Sequence, residues 1–186
     1  MAKYNMTPRE VEPVDTPFRC IQTMIPVPES LPIFEALQQS EPASMMGMPP
    51  VVWDRAEGIE VYDRWGNMWL DWSSCVLVAN SGHGRPEVRN AIREVMERPL
   101  LATYVFVHEA RAQLTQMLSK LAPGKAVYHA FILSTGSEAT ENAIKLARTY
   151  GVQKGGARKH VLVSFGNAFH GRTLGAQLAG GMDKQK

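Results

Sequence analysis

Phe131-Ile132-Leu133-Ser134-Thr135-Gly136-Ser137-Glu138-Ala139-Thr140-Glu141-Asn142 restricts the possible architectures more than any other stretch of the chain. An apolar run stops at a small polar turn, and a helix begins. Val127 to Leu133 has the length and apolar content of a buried strand. Thr135 with Glu138 three residues on reads as a capping box. Behind it, Ala139, Ala143, Leu146, Ala147 and Tyr150 recur on one helical face, and Gly151 stands where a C-terminal cap is expected. A strand, a turn and a helix N-terminus present free backbone N–H groups at the positive end of the helix dipole. Such a place suits an anion, phosphate above all. The same residues also spell an ordinary well-capped βα turn, and this stretch alone leaves both readings open.

Residues 1–50 are rich in proline and poor in periodicity, which predicts an extended N-terminal arm. An arm of this kind builds no core and must lie on this subunit or on a partner. Ile33, Phe34 and Leu37 predict one short helical turn before Glu41-Pro42. Over 51–80 the texture changes. Val51-Val52-Trp53, Ile59-Glu60-Val61-Tyr62 and Met68-Trp69-Leu70-Asp71-Trp72 are short β-branched and aromatic runs, separated by Glu57-Gly58 and by Asp63-Arg64-Trp65-Gly66-Asn67. These gaps predict hairpins and an antiparallel meander.

From residue 81 a loop leads to Pro86 at a first helical position, with Val88, Ile92, Val95 and Met96 as an apolar face before Pro99. A second helix is signalled by Ala110, Leu114, Met117, Leu118 and Leu121, and Pro123-Gly124 ends it. His160 to Phe165 predicts another buried strand, and Thr173 to Leu178 the beginning of a further element. The alternation of helix and strand over 81–186 argues for the start of a parallel sheet covered by helices. With two such strands the sheet is incomplete, so the expectation is a fragment of a longer polypeptide.

Charge and cysteine content exclude several classes of function. The net charge is +2 with scattered basic residues, and the one cluster, Lys154 to Lys159, is broken by glycines. This argues against nucleic acid or an anionic membrane as partner. Cys20 and Cys75 are far apart and predict neither a disulfide framework nor a metal site. Met1 to Ser30 lacks the apolar core of a signal peptide, and no apolar run has the length of a membrane span, so a cytoplasmic setting is expected. Two nucleotide signatures also fail. Gly82-His83-Gly84-Arg85-Pro86-Glu87 has Glu where the third glycine of a dinucleotide fingerprint belongs, and the Gly136 turn lacks the lysine of a Walker loop.

Ser134-Thr135-Gly136-Ser137-Glu138-Ala139-Thr140-Glu141-Asn142-Ala143 resembles the phosphate cradle of class III aminotransferases, pyridoxal-phosphate enzymes of fold type I. Phe169-His170-Gly171-Arg172-Thr173 is similar to their second active-site motif. Tyr62 to Asn67, Trp69 to Trp72 and Gly82 to Val88 agree in order and spacing, so the resemblance runs from about Val51 to the end. It implies an α/β fold: the N-terminal portion of fold type I, with the meander in a small domain and 81–186 opening the large cofactor-binding domain, whose sheet is mostly parallel.

The resemblance also implies roles. Gly136 and Ser137 would hold the cofactor phosphate, Phe169 would stack on its ring, and His170 would lie beside it. The ordinary alternative for Phe169 is a core aromatic. Arg172 is similar to the residue that clamps a substrate carboxylate in members acting on 4-aminobutyrate-like substrates, and a guanidinium suits that task; the alternative is a structural ion pair with a downstream acid. Ser74 and Cys75 fall where the family brings a loop near substrate, though Cys75 also fits a buried small hydrophobe. Glu138, Glu141 and Asn142 read as cap and support residues, and His83 as loop packing.

The Schiff-base lysine of the family comes well downstream of the Phe169 motif. None of Lys3, Lys120, Lys125, Lys145, Lys154, Lys159, Lys184 and Lys186 stands in a comparable context, so no catalytic residue is expected in this chain. The implied parent activity is amino transfer from an amine or ω-amino acid to a 2-oxo acid, in a homodimer or larger homo-oligomer. Decarboxylation, racemisation and amino shift within the same family remain open, as does a non-catalytic module kept for assembly or cofactor binding.

Overall fold

The computed structural model describes residues 4–42, 45, 48–124 and 128–183. They fall into two compact units, Met1–Leu101 and Ala102–Lys186.

The first unit is built on a five-stranded antiparallel sheet in the order β1-β2-β5-β4-β3. Its strands are β1 (Val14–Thr16), β2 (Arg19–Ile21), β3 (Arg55–Glu57), β4 (Glu60–Tyr62) and β5 (Met68–Leu70). The meander is present, but its first strand is Arg55–Glu57, not Val51–Trp53. The two-residue loop Gly58-Ile59 decides this, because it pairs Glu57 with Glu60 and therefore Arg55 with Tyr62. The Arg55 guanidinium then lies 3.6 Å over the Tyr62 ring.

The segment expected as an arm lies on this chain's own sheet. Thr16 Oγ1 accepts from Arg19 N at 2.9 Å and closes the β1–β2 hairpin, and β2 pairs with β5 through Cys20 and Met68. What fastens it is Asn67, which is fully buried. Its Oδ1 accepts from Gln22 N at 2.8 Å, and its Nδ2 donates to Thr23 Oγ1 at 2.8 Å and Asp63 Oδ2 at 2.7 Å. Asp63 Oδ1 in turn accepts from Trp65 N and Asn67 N. The β4–β5 turn is thus closed by one carboxylate and joined to residues 22–23 by one amide. A 3₁₀ turn (Pro28–Ser30) and helix α1 (Leu31–Ser40) follow, the helix being longer than the single turn expected. Ile21, Val27, Phe34, Val61 and Met68 form the small apolar core.

Two further elements complete this unit. α2 (Ser74–Leu77) is a single turn, and α3 (Pro86–Met96) starts with Pro86 at its first position as expected. On α3 the predicted face of Val88, Ile92, Val95 and Met96 is formed, and each side chain is more than half exposed.

The second unit contains α4 (Glu109–Leu121), α5 (Gly136–Gly155) and α6 (Leu174–Ala179). α5 begins with the predicted capping box: Glu138 N donates to Thr135 Oγ1, and Thr135 N to Glu138 Oε2, both at 3.1 Å. It continues past Gly151 to Gly155, and Gly156 stands at the C-cap with φ 83°. Gly151 serves packing instead, because a Cβ there would meet the Lys159 carbonyl oxygen at 2.5 Å.

The two buried strands expected here do not form. Residues 128–133 and 160–165 carry no ladder, and Val127 lies outside the described residues. Phe131 is 66% exposed and Val163 90%. An apolar run becomes a strand only where neighbours complete its hydrogen bonds. Among the described residues of this unit there is no strand to do so.

No helix among the described residues is long and apolar enough to cross a membrane, and none of those residues cluster as a metal-binding group.

Candidate functional site

At the start of α5 the capping box divides the orphan amides. The Glu138 carboxylate takes Ser134 N and Thr135 N, each at 3.1 Å, and Thr135 Oγ1 takes Glu138 N. Gly136 N and Ser137 N are left with no acceptor among the described residues. A Cβ at Gly136 would meet nothing within 4 Å, so the approach to these donors is open. A helix of 20 residues stands behind them with its positive end here. The arrangement suits an anion with several oxygens.

The same turn carries a second segment on its flank. Arg172 N donates to Ser137 Oγ at 3.3 Å. Gly171, at φ +126°, packs so closely that a Cβ would fall on the Ser137 hydroxyl and 2.9 Å from Ser137 Cβ. One helical turn along α5, Glu141 Oε1 accepts from Thr173 Oγ1 at 2.7 Å, Gly175 N at 2.7 Å and Ala176 N at 3.1 Å. These bonds, that of Thr173 foremost, hold the Glu141 carboxyl below its ordinary pKa range. Thr173 precedes α6 but does not cap it with its own side chain; Glu141 does so from across the fold. In the sequence Glu141 stands as a supporting residue with no visible partner, because Thr173 lies 32 positions away.

The structure brings Ser137, Gly171 and Arg172 together across 35 residues. Phe169 is 64% exposed, and His170 is exposed beside it. Arg172 is exposed and makes no ion pair among the described residues.

Ser74 and Cys75 belong to the first unit and occupy an unusual turn. Ser74, Cys75, Val76 and Leu77 have φ of 49°, 51°, 55° and 68°, a complete left-handed turn without glycine. Each such residue costs roughly 1–2 kcal/mol, so something must hold it. The holder is Asp71. Its Oδ1 accepts from Ser73 N at 3.0 Å and Ser73 Oγ at 2.7 Å, and its Oδ2 from Cys75 N at 2.6 Å and His83 Nε2 at 2.7 Å. His83 is fixed by paired backbone bonds to Gly58 and by an edge-on contact with Trp53 at 5.8 Å. Its role is packing and support, as its loop position suggested. Cys75 is exposed.

Burial alone would raise the pKa of Asp71. The bonds from His83, Ser73 and Cys75 outweigh it and hold the carboxyl at about 2 against an ordinary 3.8. A carboxyl depressed on folding stabilises fully above its unfolded value and loses that contribution as pH falls through the folded one. Acidification from pH 5 to 2 is therefore expected to remove on the order of 1–2 kcal/mol. Denaturant unfolding across this range checks it; Asp71→Asn should flatten the dependence, and an unchanged slope would contradict the assignment.

Comparison with known proteins gives consistent matches. A family model described as aminotransferase class-III covers residues 42–186. An acetylornithine aminotransferase of Caldanaerobacter subterraneus subsp. tengcongensis is 35% identical over 73% of this chain and 34% of its own length. A 4-aminobutyrate aminotransferase of Mycobacterium leprae is 32% identical over 83% of this chain and 34% of its own. Among solved structures, an (S)-enantioselective omega-transaminase from Thermomicrobium roseum superposes with a TM-score of 0.71 at 31% identity, covering 85% of this chain and 36% of that one. The chain spans about a third of the length of these relatives.

Proposed function

The chain belongs to the class III aminotransferases, and from that membership we propose that it carries the phosphate-binding part of a pyridoxal-phosphate site for moving an amino group from an amine or ω-amino acid to a 2-oxo acid. The observation that carries this reading is the pair of free amides at Gly136 and Ser137 with the Phe169–Arg172 loop docked on the same turn. The 4-aminobutyrate-like donor rests on the Mycobacterium leprae relative's name and on the unpaired Arg172 guanidinium. The proposal includes a cytoplasmic setting and a homodimer or higher homo-oligomer. The apolar face left open on α3 supports the latter. It also keeps the division into arm (1–50), small-domain meander (51–80) and opening of the large domain (81–186).

The residues present fit the cofactor. A phosphate dianion needs several donors and low local negative charge. Gly136 N, Ser137 N and the Ser137 hydroxyl hydrogen supply the donors, while the nearest acid, Glu138, is turned back onto Ser134 and Thr135. Phe169, open to solvent, offers a ring face for stacking, with His170 next to it. Arg172 offers a planar fork to a carboxylate. Ser74 and Cys75, with side chains set by the left-handed turn, are proposed to face substrate. When bound, pyridoxal phosphate would supply an electron sink for the electron pair left on the substrate carbon as its proton is removed. What this chain's residues do is hold the phosphate, fix the ring plane and orient the substrate's far end.

Calorimetric titration of this chain with pyridoxal 5'-phosphate and with phosphate-free pyridoxal tests the reading. Pyridoxal should bind at least about tenfold more weakly, and Ser137→Ala should weaken the phosphate form by about tenfold, the scale of one lost hydrogen bond. Equal binding of the two compounds would exclude a phosphate cup at Gly136.

A further inference from the structure

We infer that Glu141 is a positioning residue that couples Arg172 to the phosphate cup, so that the anion-binding turn and the guanidinium form as one piece. The inference rests on the functional reading above and adds a residue and a coupling to it.

Ser137 and Glu141 are four positions apart and share one face of α5, one turn apart. Together they make a two-point dock. The first point is weak, a single bond of 3.3 Å from Arg172 N to the hydroxyl of the half-buried Ser137. The second is strong, because one carboxylate oxygen receives three donors from Thr173, Gly175 and Ala176, and bonds to a charged acceptor are the stronger kind.

Two of those donors are otherwise orphan amides in the first turn of α6. A helix of six residues is far too short to hold itself in water. Its start therefore depends on Glu141, and Arg172, two residues before it, takes its place from that start. Gly175 lies so close to the carboxylate that a Cβ there would stand 3.0 Å from Glu141 Cδ, which leaves no slack in the dock. Ser137 is thus shared. Its hydroxyl oxygen anchors Arg172, and its N–H and hydroxyl hydrogen face the cup.

The test is amide hydrogen exchange and chemical shifts by NMR on this chain, with pyridoxal 5'-phosphate and then inorganic phosphate as probes. In the wild type both probes should shift Gly136, Ser137 and Arg172 together with one dissociation constant. Glu141→Ala should speed exchange at Arg172, Gly175 and Ala176 at least about tenfold while residues 144–150 of α5 keep their rates. It should also lower pyridoxal-phosphate affinity roughly tenfold, the scale seen when the partner that orients a ligand-holding group is lost. Glu141→Gln keeps an acceptor oxygen and should restore most of both. Thr173→Val removes one donor of three and should fall between.

Unchanged exchange at residues 172–176 in Glu141→Ala would overturn the clamp. Faster exchange with unchanged affinity and an unchanged Arg172 shift would overturn the coupling and leave Glu141 a purely structural cap. If the wild type takes up no pyridoxal phosphate, the functional reading fails by itself, and the exchange rates still decide the clamp.

Discussion

Replacing Asn67 with alanine is expected to destabilise the first unit by about 3–4 kcal/mol, the largest single-residue loss in the sheet. The substitution leaves Gln22 N without its acceptor, and it removes the amide that Asp63 Oδ2 and Thr23 Oγ1 receive at 2.7 and 2.8 Å. Each buried polar group left unmatched costs about 1–3 kcal/mol, and the Asp63 carboxylate, only 6% exposed, lies at the upper end. The apolar core of five residues offers little reserve. Tryptophan fluorescence during urea unfolding reports this unit specifically, because Trp53, Trp65, Trp69 and Trp72 all lie in it. Asn67→Asp should be worse still at neutral pH, with two carboxylates in contact, and should recover partly on mild acidification. A midpoint shift worth less than about 1 kcal/mol for Asn67→Ala would mean that the hairpin is held to the meander by something else.

Gly171→Ala should be the most damaging change in the second unit. The added methyl would fall on the Ser137 hydroxyl and stand 2.9 and 3.0 Å from Ser137 Cβ and Cα, at a backbone φ of +126° that side chains disfavour. Rotating Ser137 relieves only the first of these contacts. The loop must therefore leave the helix, at a cost of about 2–3 kcal/mol, and the Arg172–Ser137 bond goes with it. Pyridoxal-phosphate affinity should drop by about a hundredfold in calorimetry, as orientation and one phosphate contact are lost together. Ser137→Gly combined with Gly171→Ala should recover part of the stability, measured by circular dichroism during thermal unfolding, but not binding. That non-additivity identifies the clash as the cause. If Gly171→Ala binds and melts like the wild type, the packing of this loop on α5 is not what forms the site.

The parts of the fold legible in the sequence are those whose causes lie within a few residues. The start of α3 was readable from Pro86, that of α5 from Thr135 and Glu138, and the β4–β5 hairpin from Gly66-Asn67. The β1–β2 hairpin was not. Its strands have three residues each around Pro17 and Phe18, and what holds them is Asn67, more than 40 positions away. The runs at 128–133 and 160–165 show the opposite error. Apolar content is local, but a ladder is not, and the described residues of that unit supply none. Spacing alone left the Gly136 turn ambiguous; the resemblance paired it with the Phe169–Thr173 motif, and the contact of Ser137 with Gly171 and Arg172 agrees with that pairing. Glu141 and Asp71 show in the sequence only as acids near turns. Their partners, Thr173 and His83, become visible only once the chain is folded.

The left-handed turn at Ser74–Leu77 makes the choice of residue in this loop depend on a neighbouring acid. Four L-residues wound the wrong way are tolerated because Asp71 and His83 hold them there, so the acid and the imidazole are tied to the absence of glycine. A glycine at position 75 would need no such hold, because it adopts this backbone without strain. The loss caused by Asp71→Asn should therefore be smaller in a Cys75→Gly background than in the wild type, the two substitutions being less than additive.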